Sequence, residues 1–211
     1  MKHWVKKTIG PVILGAMIVA AFTTGGSAGT ARPRGLVADM QDATGASVGK
    51  IRFIPKDDGK VIVKARVSGL TPGFHGFHVH TAGACDPDAQ DTAGATVPFF
   101  TAGGHYNPVT TNSHGLHAGD MPPLLVTDDG SAVLRLATDR FRNRDLLDED
   151  GSAVIIHAGP DNLAHVPATT PAGGERYHSH VDDVFGPDTA TRATGDAGAR
   201  FACGVVTKAP R

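Results

Sequence analysis

Val61, Val63, Ala65 and Val67 alternate with Lys60, Ile62, Lys64 and Arg66. Successive side chains on a strand point to opposite faces, so this period of two marks a strand with one buried face. Asp57-Asp58-Gly59 separates it from Val48–Pro55, which carries Ile51 and Phe53, and reads as a hairpin turn. Asp128-Asp129-Gly130 has the same place between Leu124–Thr127 and Ala132–Thr138. Further strands are expected at Ala153–His157 and Phe201–Val206. No stretch carries a long amphipathic helical period. With 27 Gly, 14 Pro and 6 % aromatics in 211 residues, composition also favours a loop-rich β protein over a helical bundle. The expectation is an all-β domain of about eight short strands, an antiparallel sandwich or barrel.

The amino terminus follows a different pattern. Lys2, Lys6 and Lys7 precede an apolar run from Ile9 to Phe22, and small residues follow through Ala28. That is the layout of an export signal, so residues 1–31 are read as a leader and 32–211 as one domain. An uncleaved anchor is the alternative, although the run is short for a membrane span. No Cys lies near the cleavage region, so no lipid anchor is expected there. Cleavage removes three Lys and no acid, leaving a chain more acidic than its full-length charge of −1. There is no basic surplus to attract nucleic acid. The exported chain reaches an oxidising periplasm, envelope or exterior, where Cys85 and Cys203 can pair.

Two long segments, Thr81–Pro123 and Ala158–Ala199, show no period, and loops of that length in a compact domain are usually functional or disordered. They carry or abut nearly all of the 11 His. His78 and His80, two apart on a strand, project from one face. Alone, such a pair fits a surface coincidence as well as a ligand pair. His105, His114, His117 and Asp120 supply three imidazoles and a carboxylate, a complete tetrahedral set for a structural zinc. A polar, His-rich loop would carry the same residues. His157 ends the apolar run Ala153–Ile156; alone it reads better as a satisfied core histidine. It gains weight as a fourth ligand beside His78, His80 and His105.

Taken together, Gly76-Phe77-His78-Val79-His80, Gly104-His105, His117-Ala118-Gly119-Asp120, Ile156-His157 and Gly195–Gly204 resemble the Cu/Zn superoxide dismutase family, most closely its secreted bacterial members. The blocks occur in family order across residues 35–207. The resemblance implies an eight-stranded Greek-key barrel with two functional loops. It also implies one copper and one zinc ion per subunit, and superoxide as substrate. Copper would be held by His78, His80, His105 and His157, and zinc by His105, His114, His117 and Asp120, with His105 shared. Asp161 would link ligands of both ions, and His75 would support them. Arg200 and His105 would act in catalysis, Arg200 by guiding the anion. Cys85 and Cys203 would form a disulfide. Homodimers and monomers are both compatible with the resemblance. One departure is the two-residue gap between His114 and His117, shorter than the family pattern. Extra histidines at 165, 178 and 180 suggest either copper capture or a solvated loop, and Asp182, Asp183 and Asp188 nearby could repel anions.

Overall fold

The computed structural model describes residue 1 and residues 34–210; nearly all of the leader read at 1–31 lies outside the described residues. The chain is mostly β. The strands are β1 (Leu36–Asp42), β2 (Ser47–Pro55), β3 (Val61–Val67), β4 (Gly73–His75), β5 (Phe77–His80), β6 (Leu124–Val126), β7 (Ala132–Thr138), β8 (Ala153–His157), β9 (His178–Ser179), β10 (Val184–Phe185), β11 (Arg200–Val205) and β12 (Thr207–Lys208). One short α-helix, α1, spans Thr189–Thr194. Among the described residues no helix is long and apolar enough to cross a membrane.

Eight strands form one antiparallel curled sheet in the order β5-β8-β11-β1-β2-β3-β7, with β12 also pairing β1. Inward residues at every second position make the core: Ile51 and Phe53 from β2, Val61, Val63 and Ala65 from β3, and Phe77 and Val79 from β5. Phe141 closes it with its ring edge-on to Phe53, centroids 6.0 Å apart. The sheet bends where the register shifts, at Met40/Gln41 of β1 and Arg200/Ala202 of β11. Gly49 faces the first shift with φ 138°, and a Cβ there would run into the main chain of Arg66 and Val67.

The first expected hairpin, β2–β3, is present in full register. The second differs. Its turn closes, with Thr127 N donating to Ser131 O at 2.9 Å. The strands on either side then part: β7 pairs with β3, and β6 pairs with β4 in a separate two-stranded sheet. Turn chemistry fixes the reversal of the chain but not the sheet each arm joins, which the core decides.

Cys85 and Cys203 form a disulfide across 118 residues, with Cα atoms 5.7 Å apart. It fastens the first long loop to β11. In the chain-entropy model a loop of this size stabilises the fold by about 5 kcal/mol as an upper figure.

Candidate metal centre

The histidines gather at the β5–β8 end of the sheet. His78 and His80 lie on β5 and His157 at the end of β8, the strand that pairs with β5. His105 comes from the first long loop, joined to His80 by an isolated bridge. Two groups of ligand atoms each lie mutually within 4.8 Å: His78, His80, His105 and His157, and His78, His105, His114 and Asp120. His78 and His105 belong to both. The His105 ring stacks on His78 with centroids 3.9 Å apart.

Hydrogen bonds set the direction of each ring. His78 Nε2 donates to Asp161 Oδ2 at 2.6 Å, His80 Nδ1 to the Gly103 carbonyl at 2.8 Å, and His157 Nδ1 to the Gly198 carbonyl at 3.0 Å. His114 Nε2 donates to Asp161 Oδ1 at 2.8 Å. In the first three rings the other nitrogen is buried with no partner: His78 Nδ1, His80 Nε2 and His157 Nε2. A neutral imidazole that donates from one nitrogen carries its lone pair on the other. Leaving such an acceptor buried and unpaired costs about 1–3 kcal/mol each. The three lone pairs of His78, His80 and His157 converge beside His105 and make a donor set that suits an imidazole-binding metal.

With His117 taken in place of His78, the second group offers three imidazoles and a carboxylate, the donor types of a zinc site. A tetrahedron with bonds of about 2.0–2.1 Å has edges of about 3.3–3.4 Å. Asp120 Oδ1 lies 2.8 Å from His105 Nδ1, 3.3 Å from His114 Nδ1 and 3.4 Å from His117 Nδ1. His117 Nδ1 is also 3.4 Å from His105 Nδ1. His117 stands outside the mutual 4.8 Å groups, yet it meets Asp120 and His105 at edge length.

The tight His114–His117 turn is folded around Asp120. The amides of Gly115 and His117 donate to its Oδ2 at 2.7 and 3.0 Å, leaving Oδ1 for the rings. Arg140 Nη1 clamps the turn from outside through the carbonyls of Gly115 and His117, at 3.1 and 3.0 Å. His114 N donates to Arg192 O of α1 at 2.6 Å. Gly195, at φ 66°, ends α1 against the His114 ring, and any Cβ there would overlap it. Sequence reasoning missed Arg140, α1 and Gly195. Only the glycine left a signal, as the helix-stopping residue after Thr194.

The electrostatics of the two groups differ. Burial pushes His78 down to about 4 despite the neighbouring Asp161, and His157 down to about 3. Burial also holds His80 well below the ordinary imidazole range. For His114, burial opposes the charge, but Asp120 and Asp161 outweigh it and lift the ring to about 9. Both carboxylates lie well below the usual range: burial would raise them, and their bonds to His105 and His114, or to His114 and His78, overcome it.

Arg200 pairs with His157 in the β11–β8 ladder. Its guanidinium donates to the carbonyls of Phe99 and Gly103, the latter also holding His80. A cleft of about 470 Å³ opens over His80, His105 and His157, with Arg200 and Asp196 in its walls. The His75 ring packs between two carbonyls, with Nδ1 2.7 Å from His157 O and Nε2 2.8 Å from Thr71 O.

The extra histidines lie apart from both groups. His165 and His180 are exposed, and His178 sits between Glu175 and Asp183 at 2.7 and 3.0 Å. The nearby acids serve the loop: Asp188 caps α1 through Thr191 N, and Asp182 accepts from Thr189.

An antiparallel β domain with two fused, histidine-rich groups and a disulfide-tethered loop has the make-up of a metal-binding protein. Residues 47–206 match the family model described as copper/zinc superoxide dismutase. The chain is 43 % identical over 166 residues to "Superoxide dismutase [Cu-Zn]" of Mycobacterium tuberculosis, covering 78 % of this chain and 66 % of that one. It thus spans about two thirds of that relative's length. To "Superoxide dismutase [Cu-Zn] 1" of Salmonella typhimurium it is 36 % identical over 184 residues, covering 82 % and 87 %. Among solved structures, Cu/Zn superoxide dismutase from Brucella abortus superposes with a TM-score of 0.59 at 27 % identity, covering 81 % of this chain and 98 % of that one. The chain belongs to the copper/zinc superoxide dismutase family, whose members act on superoxide.

Proposed function

We propose that this chain is an exported dismutase. It converts superoxide to oxygen and hydrogen peroxide at a copper held by His78, His80, His105 and His157. Zinc is held beside it by His105, His114, His117 and Asp120. One observation carries the reading: the buried, unpaired ring nitrogens of His78, His80 and His157 converge beside His105, and His78 and His105 also belong to the second group with His114 and Asp120. Copper, when bound, supplies one-electron chemistry, while zinc, with its filled d shell, supplies only charge and a fixed anchor.

The reaction consumes two superoxide anions and two protons and yields one oxygen and one hydrogen peroxide. Arg200 attracts and orients each anion in the cleft beside His80 and His157, its guanidinium held by the Phe99 and Gly103 carbonyls. His105 carries one proton: Nδ1 stays on the zinc side beside Asp120, while Nε2 takes up a proton in the first half-reaction and gives it to the peroxide in the second. Asp161 fixes His78 and His114 through its two oxygens and so keeps both groups in register. Gly103 and Gly198 carbonyls hold the tautomers of His80 and His157. His75 braces the end of β8, and residues 1–31 direct export.

The test is superoxide decay catalysed by the mature protein carrying one copper and one zinc, across a salt series. Fast decay that slows with salt supports both the dismutase reading and attraction by Arg200. Fast decay indifferent to salt keeps the enzyme and removes that role from Arg200. Negligible decay at full occupancy overturns the reading and leaves a metal-binding protein.

A further inference from the structure

The outer face of β2, β3 and β7 carries a compact array of cations, none of which lines the cleft over His80, His105 and His157. The register sets Arg52, Lys64 and Arg135 side by side across three strands. One step along, it sets Asp39, Lys50 and Arg66 side by side across β1, β2 and β3. Neighbours across strands are about 4.8 Å apart and the two rows about 7 Å apart. Only Lys50 has a carboxylate partner, Asp39 at 2.7 Å. Arg52, Lys64, Arg66 and Arg135 are exposed and have no carboxylate within 4.0 Å among the described residues. These side chains wall a groove of about 940 Å³.

This array is not explained by composition or by stability. The full chain has a net charge of −1, so the cations are concentrated here against the overall balance. Like charges directly opposite on a sheet are destabilising, and Lys50–Arg66, Arg52–Lys64 and Lys64–Arg135 are all such pairs. An anion laid along the groove would reverse the sign of that interaction. Shape narrows the occupant. A flat bilayer cannot follow a groove, and a single small anion can neutralise only part of two rows. A flexible chain bearing a charge every few ångströms can meet every cation.

We infer that this face docks a linear phosphate polymer, leaving the metal cleft free, because none of the five cations lines that cleft. The proposal does not depend on the dismutase reading.

The test is binding of fluorescently labelled long-chain inorganic polyphosphate to the mature, metal-loaded protein over a salt series. With four cations engaged, log affinity should fall against log salt with a slope of about −3. In the Arg52→Gln, Lys64→Gln, Arg66→Gln, Arg135→Gln variant, affinity should fall at least tenfold and the slope should approach zero. Dismutase activity should be unchanged, and the thermal midpoint unchanged or higher as repulsion is relieved. An Arg144→Gln, Arg176→Gln variant, with two cations removed elsewhere, should bind like wild type. Failure of wild type to bind at low salt would overturn the proposal, as would equal binding by the fourfold variant. So would competition by orthophosphate at equal phosphate, which would mark a small-anion site. Tighter binding to phosphatidylglycerol vesicles than to polyphosphate would overturn it in favour of a membrane surface.

Discussion

The proposed copper and zinc groups share His105 and lean on the same Asp161, yet they are built by different means. On the copper side, His78, His80 and His157 stand on paired strands β5 and β8, and main-chain carbonyls or Asp161 fix their outer nitrogens. On the zinc side, His114, His117 and Asp120 lie in a loop turned around the Asp120 carboxylate and clamped by Arg140 and α1. A sheet ladder spreads positioning over many hydrogen bonds. A loop entrusts it to a few side chains. The copper side should therefore respond mainly to loss of its ligands, and the zinc side also to single changes well outside its ligand set.

The largest effect should follow from loss of a strand-borne ligand. His157→Ala removes one of four donors and should lower dismutase activity by about two orders of magnitude or more, beyond what loss of an outer-shell partner costs. Zinc content, read by metal analysis, should stay near wild type. Equal loss of both metals would break the proposed division between the groups. Asp161→Asn comes next, because one carboxylate serves His78 and His114 together. Loss of such an outer partner typically costs about 10–100-fold in affinity or activity. Here both metals should weaken, measured by competition with a chelator. Weakening of zinc alone would confine Asp161 to one side.

Arg140→Gln sharpens the contrast further. Arg140 touches no ligand atom, only the carbonyls of Gly115 and His117. Zinc affinity should fall by about tenfold, the lower end for such supporting contacts, with copper affinity unchanged. No change in zinc affinity would mean that Asp120 alone sets the turn.

The same contrast governs how much could be read from the sequence. The alternation in Val61–Val67 and the turn at 57–59 made the β2–β3 hairpin legible, because both signals are local. The parting of β6 from β7 was not, since the same turn permits either ladder. His78 and His80 were legible as a pair from strand spacing, whereas His157 gained meaning only beside the others. On the loop, ligand types could be read, but not the geometry that makes a two-residue gap workable. That geometry rests on Asp120 Oδ2 accepting two amides and on Arg140 reaching back 23 and 25 residues. Such contacts follow no period. Arg200 shows the limit differently: the expected strand began only at Phe201, the role of Arg200 followed from the family resemblance, and its carbonyl partners are 101 and 97 residues away.

The smallest effect is a pH dependence of the metal-free protein, and it separates His114, which is raised, from His78, His80, His157 and His117, which are lowered. An unfolded imidazole titrates near 6.5. His78 and His157 are depressed in the fold to about 4 and about 3, so folding requires them neutral. Their stabilisation is complete above about pH 6.5 and is lost as pH falls toward 4 and 3. His114 is raised to about 9, so folding favours its charged form. That stabilisation is complete below about pH 6.5 and is lost as pH rises through 9. The thermal midpoint of chelator-treated protein should therefore peak near pH 6.5, with an acid limb from His78, His80, His157 and His117 and an alkaline limb from His114. His114→Gln should flatten the alkaline limb and His157→Gln should soften the acid one. A variant that altered the opposite limb would show that the shared His105 couples the empty groups too tightly for either to titrate on its own terms.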